Sequence, residues 1–374
     1  MRIAVNTRFL LKNKLEGIGW FTYESLKRIT VQHPEHEFIF FFDRSFPKEF
    51  IFSDNVTGKV IFPPARHPFL WYWWFEHALP AALKKHKSDI FLSTDGYLSL
   101  KAVLPQVTVM HDLAFEHFPE HVSPLTAHYY KYFTPKYAKK ARRIATVSSF
   151  SKQDIVSLYD VAPEKIDVVY NGANEFFVPL SRPEQDKVRG EFTGGNPYFI
   201  YAGALQPRKN IIRLYQAFDL FKKKNPGNIK LVMAGRNWSY DEAMKVHAAM
   251  EFKDEVVFPG HLTRLGLSRL MAASEGLVYV SLFEGFGIPI VEAMYCDVPV
   301  ITSNISSMPE VAGDAGLLTD PYSIEDIADK MEMLYRSKAL ALQLVERGRL
   351  QRIKFNWQFT ADNLWNCLIK AMEE

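Results

Sequence analysis

Residues 281–294 read Ser-Leu-Phe-Glu-Gly-Phe-Gly-Ile-Pro-Ile-Val-Glu-Ala-Met, and the rest of the chain is best interpreted outward from them. The preceding run, 276–281, is apolar and β-branched, which is typical of a buried parallel strand. The residues from Ile288 onward have the spacing of a packed helix. Pro289 suits the first turn of that helix because its missing N–H is not needed there. The stretch therefore predicts a strand, a tight turn and a helix.

The predicted turn carries groups that suit a ligand with phosphates and many hydroxyls. Glu284 lies on the turn, and Glu292 follows about one turn inside the helix. Glycines on both sides of Phe286 keep the turn free of side chains, so that a ligand can approach the backbone. The amides near Phe286, Gly287 and Ile288 are expected to point at that ligand with the positive end of the helix dipole. Such a turn fits a nucleotide sugar.

Length and composition exclude several classes of protein. A chain of 374 residues is expected to form two domains, and 48% apolar with 23% charged residues indicates an ordered globular protein. The net charge of +3 gives no general reason to expect nucleic-acid binding. Two distant cysteines and a start directly in a strand indicate a reduced, cytoplasmic setting. No stretch reaches about 18 uncharged apolar residues, so we expect no transmembrane helix.

Strand-like and helical patterns alternate along most of the chain, which predicts parallel sheets with helices on both faces. Residues 176–196 are rich in proline, glycine and charge, and we predict a linker there with at most one short helix. The chain is therefore expected to contain two doubly wound α/β domains, 1–175 and 197–356. Ligands bind beyond the carboxyl ends of the strands in such sheets, so we expect two such edges to face an interdomain cleft.

The predicted elements alternate in both domains. The predicted strands cover residues 3–6, 37–42, 59–62, 89–94, 106–111, 144–148 and 165–170, and then 198–202, 229–234, 256–258, 277–281, 298–302 and 316–318. The predicted helices cover residues 20–31, 70–86, 124–140 and 149–158, and then 211–223, 241–251, 265–273, 288–295, 324–335, 339–355 and 358–372.

Polar residues at the ends of two predicted strands are further site candidates. His111 ends the strand 106–111, where it could hold a sugar hydroxyl, shuttle a proton or play a structural role. Arg208 and Lys209 follow the first strand of the second domain and begin a helix. Two cations at that end oppose the helix dipole, which is a hint of function. We interpret them as a clamp for a diphosphate, with a solvated pair as the alternative.

Gly17-Ile-Gly19 follows the first strand and opens the first helix. A dinucleotide-binding fingerprint would have a third glycine where Thr22 stands, so that fingerprint is incomplete. The favoured interpretation is a glycine loop that lets a phosphate or an acceptor approach the backbone. A tight turn without a ligand and plain dinucleotide binding remain alternatives.

Two stretches concern partners. Residues 68–75, Pro-Phe-Leu-Trp-Tyr-Trp-Trp-Phe, could form the core face of a helix, an acceptor groove or a membrane edge. Residues 121–153 contain seven lysines or arginines and no acidic residue. That run is either a solvated helix face or a surface that attracts anionic lipid headgroups, by roughly 1 kcal/mol per basic residue. Nucleic-acid binding is the weakest interpretation, because no RNA- or DNA-binding motif accompanies the run.

The chain lacks the common motifs for metals and nucleotides. It has no Asp-x-Asp pair, no P-loop and no His-Glu-x-x-His. We therefore expect no metal and no cofactor. The charge of a bound phosphate would be met by Arg208, Lys209 and backbone amides.

Taken together, these stretches resemble the retaining glycosyltransferases of family 4, which have the GT-B fold. The segment from Glu284 to Glu292 resembles the family's signature of two glutamates separated by seven residues. The other motifs in the family's order cover nearly the whole chain, at 17–19, 111–112, 146–151, 169–172, 203–210 and 307–314.

The resemblance implies a role for each candidate in the second domain and for one histidine in the first. Arg208 and Lys209 would contact the diphosphate of the donor. Glu292 would hold the ribose hydroxyls, and Glu284 would face the transferred sugar. His111 would bind a hydroxyl of that sugar at the reaction centre.

The resemblance also implies roles for three glycines and for the last helix. Gly17 and Gly19 would lie against the donor phosphate or the acceptor, and Gly203 would belong to the donor-binding set with residues 286–288. The helix after Trp357 would cross back onto the first domain.

The function that the resemblance implies is metal-independent hexosyl transfer with retention at the anomeric carbon, by a front-face reaction. The favoured donor is GDP-mannose. The acceptor would be a glycan or a lipid-linked sugar of surface polysaccharide assembly, reached from the cytoplasm at the inner face of a membrane. A UDP-sugar donor, a sugar-nucleotide epimerase of the same fold and an inactive binding protein are the alternatives.

Overall fold

The computed structural model describes residues 1–12, 14–235, 241–260 and 262–374. Within these ranges the chain divides into two compact units. The first unit joins Met1–Asn171 to Trp357–Glu374, and the second spans Gly172–Asn356.

The first unit is built on a parallel sheet in which, among the described residues, seven strands follow the order β3–β2–β1–β4–β5–β6–β7. Five of the six residues of β2 are buried, since a sheet covered on both faces needs apolar side chains on both sides. The strands are β1 (Arg2–Asn6), β2 (Glu37–Phe42), β3 (Val56–Val60), β4 (Ile90–Ser93), β5 (Gln106–Met110), β6 (Arg143–Thr146) and β7 (Ile166–Val168). The helices are α1 (Gly17–Gln32), α2 (Pro68–Trp73), α3 (Leu79–Lys85), α4 (Ala114–His117), α5 (Pro124–Lys140) and α6 (Ser149–Tyr159).

The second unit repeats this plan with a parallel sheet whose six strands, within the described ranges, follow the order β10–β9–β8–β11–β12–β13. The strands are β8 (Tyr198–Ala202), β9 (Lys230–Ala234), β10 (Val256–Val257), β11 (Gly276–Tyr279), β12 (Val300–Ser303) and β13 (Gly316–Thr319). The helices are α7 (Arg182–Thr193), α8 (Ile211–Lys224), α9 (Asp241–Ala249), α10 (Arg264–Ala272), α11 (Ile288–Tyr295), α12 (Met308–Ala312), α13 (Ile324–Arg336) and α14 (Lys338–Gln351).

In each sheet the strand order reverses at one point: the chain adds strands on one side of its first strand and then on the other side. In the first unit the reversal lies between β1 and β4, and in the second it lies between β8 and β11. Helices that follow two such strands lie on opposite faces, which leaves a crevice at the carboxyl ends of the pair where ligands bind. The prediction of two doubly wound α/β domains is confirmed, and the fold directs attention to these two strand pairs.

The last helix, α15 (Trp357–Glu373), belongs to the first unit. The Thr360 hydroxyl donates to the Tyr170 carbonyl at 2.6 Å, and Lys370 pairs with Asp167 at 2.8 Å. The indole ring of Trp365 stacks on His33, the residue after α1, at 3.7 Å between ring centroids. The chain therefore returns to its first sheet at its end, as the resemblance implied.

Residues 176–196 are not a linker, so that prediction is wrong. The second unit begins at Gly172, and α7 packs within it. Val188 is buried, and the Arg189 guanidinium donates to the Ala273 carbonyl at 2.9 Å. The residues interpreted as breakers are instead helix signals, because Pro183 lies in the first turn of α7 and Gly194 adopts φ 63° just after its last turn.

Gly17 and Gly19 lie inside α1, which begins at Gly17 and so starts three residues before the predicted helix 20–31. A Cβ added at Gly19 would lie 2.8 Å from the Phe9 carbonyl oxygen, whereas one at Gly17 would meet nothing within 4 Å. Gly19 therefore allows the first turn of α1 to approach the backbone that follows β1. At Gly19, two segments of the protein backbone therefore approach each other closely.

The aromatic stretch divides between core and surface. A π-helical turn, Trp74–Ala78, joins α2 to α3 just before Pro80, which has no N–H to donate and crowds the carbonyl four residues earlier. Trp74 and Phe75 are fully buried in the core of the first unit, whereas Phe69 is exposed. None of the helices in the described ranges is both long enough and apolar enough to span a bilayer.

Candidate active site

The candidate site of the second unit forms at the reversal of its strand order. A short 3-10 turn, Pro207–Lys209, follows β8, and Glu284 follows β11 on the neighbouring strand. Because parallel strands end at the same edge of a sheet, the two segments meet there. The Leu282 amide donates to the Arg208 carbonyl at 2.8 Å, which joins the two segments directly.

Three charged side chains form a cluster at this edge. Lys209 Nζ lies 2.5 Å from Glu284 Oε1 and 2.9 Å from the Tyr279 hydroxyl. Arg208 Nη1 lies 3.3 Å from Glu284 Oε2 and donates to the Phe283 carbonyl at 2.9 Å. Only 6% of Glu284 and 8% of Lys209 is exposed to solvent. Two cations therefore surround one buried carboxylate, and these three side chains together carry a net positive charge.

The electrostatics of this cluster keep Glu284 ionised. Burial raises the pKa of the Glu284 carboxyl, but the charges of Lys209 and Arg208 outweigh burial and lower that pKa to about 2. Burial also raises the pKa of the Tyr279 hydroxyl, so this group stays protonated beside Lys209. A carboxylate that stays charged at neutral pH cannot serve as a general acid. Glu284 is thus suited to orienting cations or accepting hydroxyls.

Two serines and one glycine fix the turn around Glu284. The Glu284 amide donates to the Ser306 hydroxyl at 3.0 Å, and the Ser307 hydroxyl lies 2.9 Å from the carbonyl oxygens of Glu284 and Phe286. Gly287 adopts φ 99°, a conformation that residues with side chains rarely adopt, and α11 begins at the next residue. The predicted strand, turn and helix are present, with the N-terminus of α11 beside the cluster.

Glu292 has a different partner from Glu284. It lies on α11 and is 3% exposed, and its Oε1 accepts from Nη1 of Arg264 at 2.9 Å. Burial raises the pKa of the Glu292 carboxyl, and the charge of Arg264 opposes this effect. The two glutamates that the spacing joins in sequence therefore have opposite pKa shifts.

Sequence reasoning did not identify Arg264 or Tyr279 as parts of this region. Arg264 is the first residue of α10, and Tyr279 is the last residue of β11. No spacing in the sequence connects either of them to the glutamates. Asn210, the residue before α8, has φ 61°, and its side-chain amide donates to the carbonyls of Val280 and Pro321 at 3.0 and 2.6 Å. Asn210 thereby ties the 3-10 turn to the end of β11.

Gly203 lies directly after β8 and is shaped by close packing. A Cβ on Gly235 would lie 1.8 Å from the Gly203 carbonyl oxygen, and a Cβ on Gly203 would lie 2.9 Å from the Tyr201 hydroxyl. The glycine therefore has a structural requirement of its own at this sheet edge. Its role toward a donor stays a prediction.

His111 lies in the first unit, just after β5. Its Nε2 lies 2.9 Å from the Thr94 carbonyl oxygen. A carbonyl can only accept, so Nε2 carries the proton and Nδ1 is an acceptor in the neutral ring. Burial lowers the pKa of His111, while the bond to Thr94 and the charge of Asp112 oppose this. The edge of Phe21 packs on the ring at 4.9 Å. A neutral, oriented imidazole suits a hydroxyl ligand.

The described ranges contain no group of three or more His, Cys, Asp or Glu side chains arranged to hold a metal ion. Cys296 and Cys367 are both buried, and neither forms a disulfide in the part of the chain that the structure describes.

Comparisons with known families match both units. The profile for Glycosyltransferase Family 4 matches residues 17–175. The profile for Glycosyl transferases group 1 matches residues 182–351, which contain the cluster of Arg208, Lys209 and Glu284.

The relatives and solved structures agree with these profiles. The chain is 28% identical over 360 residues to O-antigen chain mannosyltransferase B of Escherichia coli, covering 93% of this chain and 94% of the relative. It is 29% identical over 272 residues to O-antigen chain mannosyltransferase RfbU of Salmonella typhimurium, covering 71% of each chain. The crystal structure of Anabaena HepE with UDP and glucose has a TM-score of 0.76 at 18% identity, covering 99% of this chain and 100% of the other. At that identity the likeness concerns the fold alone.

Proposed function

We propose that this chain, which belongs to the glycosyltransferases of family 4 and has the GT-B fold, moves mannose from GDP-mannose to a glycan or lipid-linked acceptor. The family makes the chain a glycosyltransferase. The choice of mannose is supported by two relatives named as O-antigen mannosyltransferases. The choice of GDP follows the donor that the sequence resemblance favours.

The observation that carries the proposal is the cluster of Arg208, Lys209 and Glu284 at the ends of β8 and β11. A nucleoside diphosphate sugar brings two negative charges to its site. Arg208 offers a planar fork of donors and Lys209 offers a point charge, both held in place by Glu284. Pre-positioned cations stabilise a leaving diphosphate without having to reorganise during the reaction.

The reaction that we infer retains the anomeric configuration and proceeds on one face of the sugar. The bond between the anomeric carbon and the diphosphate oxygen breaks, and a bond from that carbon to the acceptor oxygen forms. The acceptor proton passes to the departing diphosphate, whose charge Arg208 and Lys209 offset. In this scheme Glu284 stays ionised, and Nδ1 of His111 accepts a hydrogen bond from a hydroxyl of the transferred sugar.

The nucleoside is assigned to Glu292. A carboxylate oxygen is a strong acceptor of hydrogen bonds from the two ribose hydroxyls, and Oε1 of Glu292 accepts from Arg264 at 2.9 Å. Gly203, Gly287 and Ile288 lie along the same sheet edge and are assigned to the donor by the family resemblance. Gly17 and Gly19 are assigned to the donor phosphate or the acceptor on the same basis.

The acceptor is proposed to be a glycan or a sugar carried on a lipid. Such an acceptor would bring the chain to the inner face of a membrane, and residues 121–153 supply the basic groups for a peripheral contact. We accordingly propose a cytoplasmic location at that surface. No metal or cofactor takes part in this scheme.

A donor panel tests the proposal. The chain is mixed with GDP-mannose, UDP-glucose, ADP-glucose and the free diphosphates, and its melting temperature is measured with and without EDTA. Ligand at 100 times Kd should stabilise the chain by about 2.7 kcal/mol, so the true donor raises the melting temperature. We expect the largest rise with GDP-mannose and GDP, unchanged by EDTA. If UDP-glucose alone stabilised the chain, the donor would be UDP-glucose instead of GDP-mannose. If no nucleotide stabilised it, the proposed function would be contradicted.

The stereochemistry has its own measurement. Once a donor and a soluble acceptor are found, the product's anomeric proton is followed by NMR from the first turnover. We expect the α configuration of GDP-mannose to be kept in the product. An inverted product would contradict the front-face scheme. Release of free nucleotide with an epimerised sugar and no acceptor would indicate an epimerase instead.

A further inference from the structure

An exposed aromatic surface lies on the first unit, away from the buried half of the stretch 68–75. The apolar residues on it are exposed by 71% at Phe69, 41% at Tyr72, 53% at Trp73, 95% at Val103 and 53% at Tyr132. Three exposed lysines accompany them, at 101, 131 and 136. We name these eight residues the aromatic–basic face. Single exposed apolar residues are ordinary, but a group of large ones marks a surface that contacts something.

Ring contacts connect most of these residues into one surface. Tyr72 of α2 lies 5.9 Å from the Phe133 ring of α5, and Phe133 lies 4.8 Å from Tyr132. Trp73 stacks on His77 at 4.7 Å. His77 Nε2 in turn lies 3.2 Å from Nζ of Lys101, two residues before Val103. The helix α2, the loop at 101–103 and the helix α5 therefore contribute to the same face.

The charge on this face is positive. The segments 66–88, 97–105 and 121–153 contain a single acidic residue, Glu76. Glu76 is 3% exposed, and its carboxylate accepts from the amides of Leu100 and Lys101 at 2.9 and 3.2 Å. It therefore points into the protein. Lys136 lies over the ring of Tyr132, with Nζ 3.1 Å from the ring centroid, which keeps a cation beside an exposed aromatic.

The exposed rings are additional to those that the core requires. Directly beneath them Trp74, Phe75, Tyr129 and Tyr137 are buried. Aromatic side chains with a polar edge favour the boundary between water and lipid, and lysines beside them favour anionic headgroups. A surface with both features, and with its one carboxylate turned inward, has the chemistry of a bilayer contact.

We propose that the aromatic–basic face docks the first unit on a bilayer that contains anionic lipids. Phe69, Tyr72 and Trp73 would enter the headgroup boundary, and Lys101, Lys131 and Lys136 would contact anionic headgroups. The proposal extends the predicted contact of residues 121–153 to α2 and to the loop at 101–103. It does not depend on which donor the second unit binds.

Sedimentation with vesicles tests the docking. The full chain is mixed with vesicles of phosphatidylcholine alone or of phosphatidylcholine with phosphatidylglycerol, at low and high salt. We expect binding to the anionic vesicles only, weaker at high salt because salt screens exposed charges. Lys131→Gln with Lys136→Gln should weaken binding roughly 30-fold, at about 1 kcal/mol per lysine. Phe69→Ser with Trp73→Ser should weaken it at least as much, and this loss should persist at high salt.

Matched variants in the second unit separate the face from general effects. Lys223→Gln with Lys224→Gln removes two exposed lysines, and Tyr322→Ser with Leu350→Ser removes two exposed apolar side chains, 57% and 72% exposed. Both controls should sediment like the unaltered chain. Transfer to a short soluble acceptor without vesicles reports separately on folding and on the donor site.

Three results would overturn the docking proposal. The first is equal binding of all variants, and the second is binding that does not depend on anionic lipid. The third is a change in oligomeric state caused by the aromatic variants without any loss of vesicle binding, which would assign the face to a second copy of the chain. If the unaltered chain bound vesicles but transferred no sugar, only the proposed function would be contradicted.

Discussion

At the residue scale, the candidate site depends on where each buried charge has its partner. Glu284 has two cationic neighbours, Lys209 at 2.5 Å and Arg208 at 3.3 Å, and its pKa is lowered to about 2. Glu292 has one, Arg264 at 2.9 Å, and its pKa is raised by burial. The first glutamate is therefore a fixed negative charge. The second is the one whose ionisation a neighbouring residue can control.

Arg264 is unfavourably placed for helix stability, which points to a role in positioning. It is the first residue of α10, where the helix dipole disfavours a cation. Its contact with Glu292 opposes the effect of burial on that carboxyl. The contact with Arg264 therefore favours the ionised form of Glu292, and we propose that it positions this carboxylate for the ribose hydroxyls.

Arg264→Gln tests this role through the pH dependence of the donor KM. Burial has raised the pKa of Glu292 and Arg264 opposes the rise, so removing Arg264 moves that pKa further up. A protonated Glu292 accepts hydrogen bonds from the ribose hydroxyls less well than the carboxylate does. As the pH falls from about 8 to about 5, the donor KM of the variant should begin to rise at a higher pH than that of the unaltered chain. The change in kcat should be smaller.

The controls for Arg264 use charge and position. Arg264→Lys keeps the cation and should restore most of the unaltered pH profile. Arg269→Gln removes a cation from the last turn of the same helix and should leave the profile unchanged. A donor KM in Arg264→Gln that follows the unaltered profile at every pH would contradict the positioning role.

At the element scale, the strands and most helices follow from local pattern. Each predicted strand corresponds to an observed one, because apolar runs between turn residues are required by a sheet buried on both faces. The helices 124–140 and 288–295 have the predicted bounds, since proline in the first turn marks the start of each. The strand, turn and helix around Glu284 were therefore predictable from sequence.

The elements that could not be predicted depend on packing between distant segments. Helix α7 was hidden by a composition that suggests a linker, and contacts with distant residues, such as those of Arg189 with Ala273 and Glu275, show that it belongs to the second unit. Likewise, Gly19 serves a close approach to Phe9, which no local pattern encodes. The pairing of Arg264 with Glu292 joins residues on two helices, and spacing within one segment cannot show it.

The turn before α11 gives a prediction about stability. Gly287 has φ 99°, and an added Cβ would lie 3.1 Å from the Ile290 side chain. Gly287→Ala should therefore lower the free energy of unfolding by about 1–2 kcal/mol, measured by urea titration. It should also raise the donor KM, because the same turn presents the start of α11.

Gly190 provides the matched control for that substitution. It lies inside α7, and an added Cβ there would meet nothing within 4 Å. Gly190→Ala should leave the chain as stable or more stable, by up to about 1 kcal/mol, because alanine favours a helix. If both substitutions had the same effect on unfolding, the turn at Gly287 would not have the requirement described here.

At the scale of the whole molecule, the two units have parallel sheets of similar plan but carry different functional groups. The second unit places Arg208, Lys209 and Glu284 after β8 and β11. The first unit carries His111 after β5 and bears the aromatic–basic face. One unit thus has the chemistry for a diphosphate, and the other has a neutral histidine and a surface suited to lipid. The proposed transfer to a lipid-linked acceptor would use both sets of groups.

Arg208 and Lys209 are proposed to hold the donor diphosphate, and calorimetric titration of the nucleotide tests this central claim most directly. The titrants are GDP-mannose, or the donor that the panel identifies, and the matching nucleoside without phosphates. The variants are Arg208→Ala and Lys209→Met, with Lys209→Met/Glu284→Gln to remove the buried pair together. Lys223→Ala, an exposed ion-paired lysine on α8, is the control.

We predict that Arg208→Ala and both Lys209 variants bind the donor at least about tenfold more weakly, a loss of about 1.4 kcal/mol or more. Lys223→Ala should bind it normally, and the nucleoside should bind all variants alike. Unchanged donor affinity in Arg208→Ala and Lys209→Met would contradict the central claim, as would an equal loss for the nucleoside.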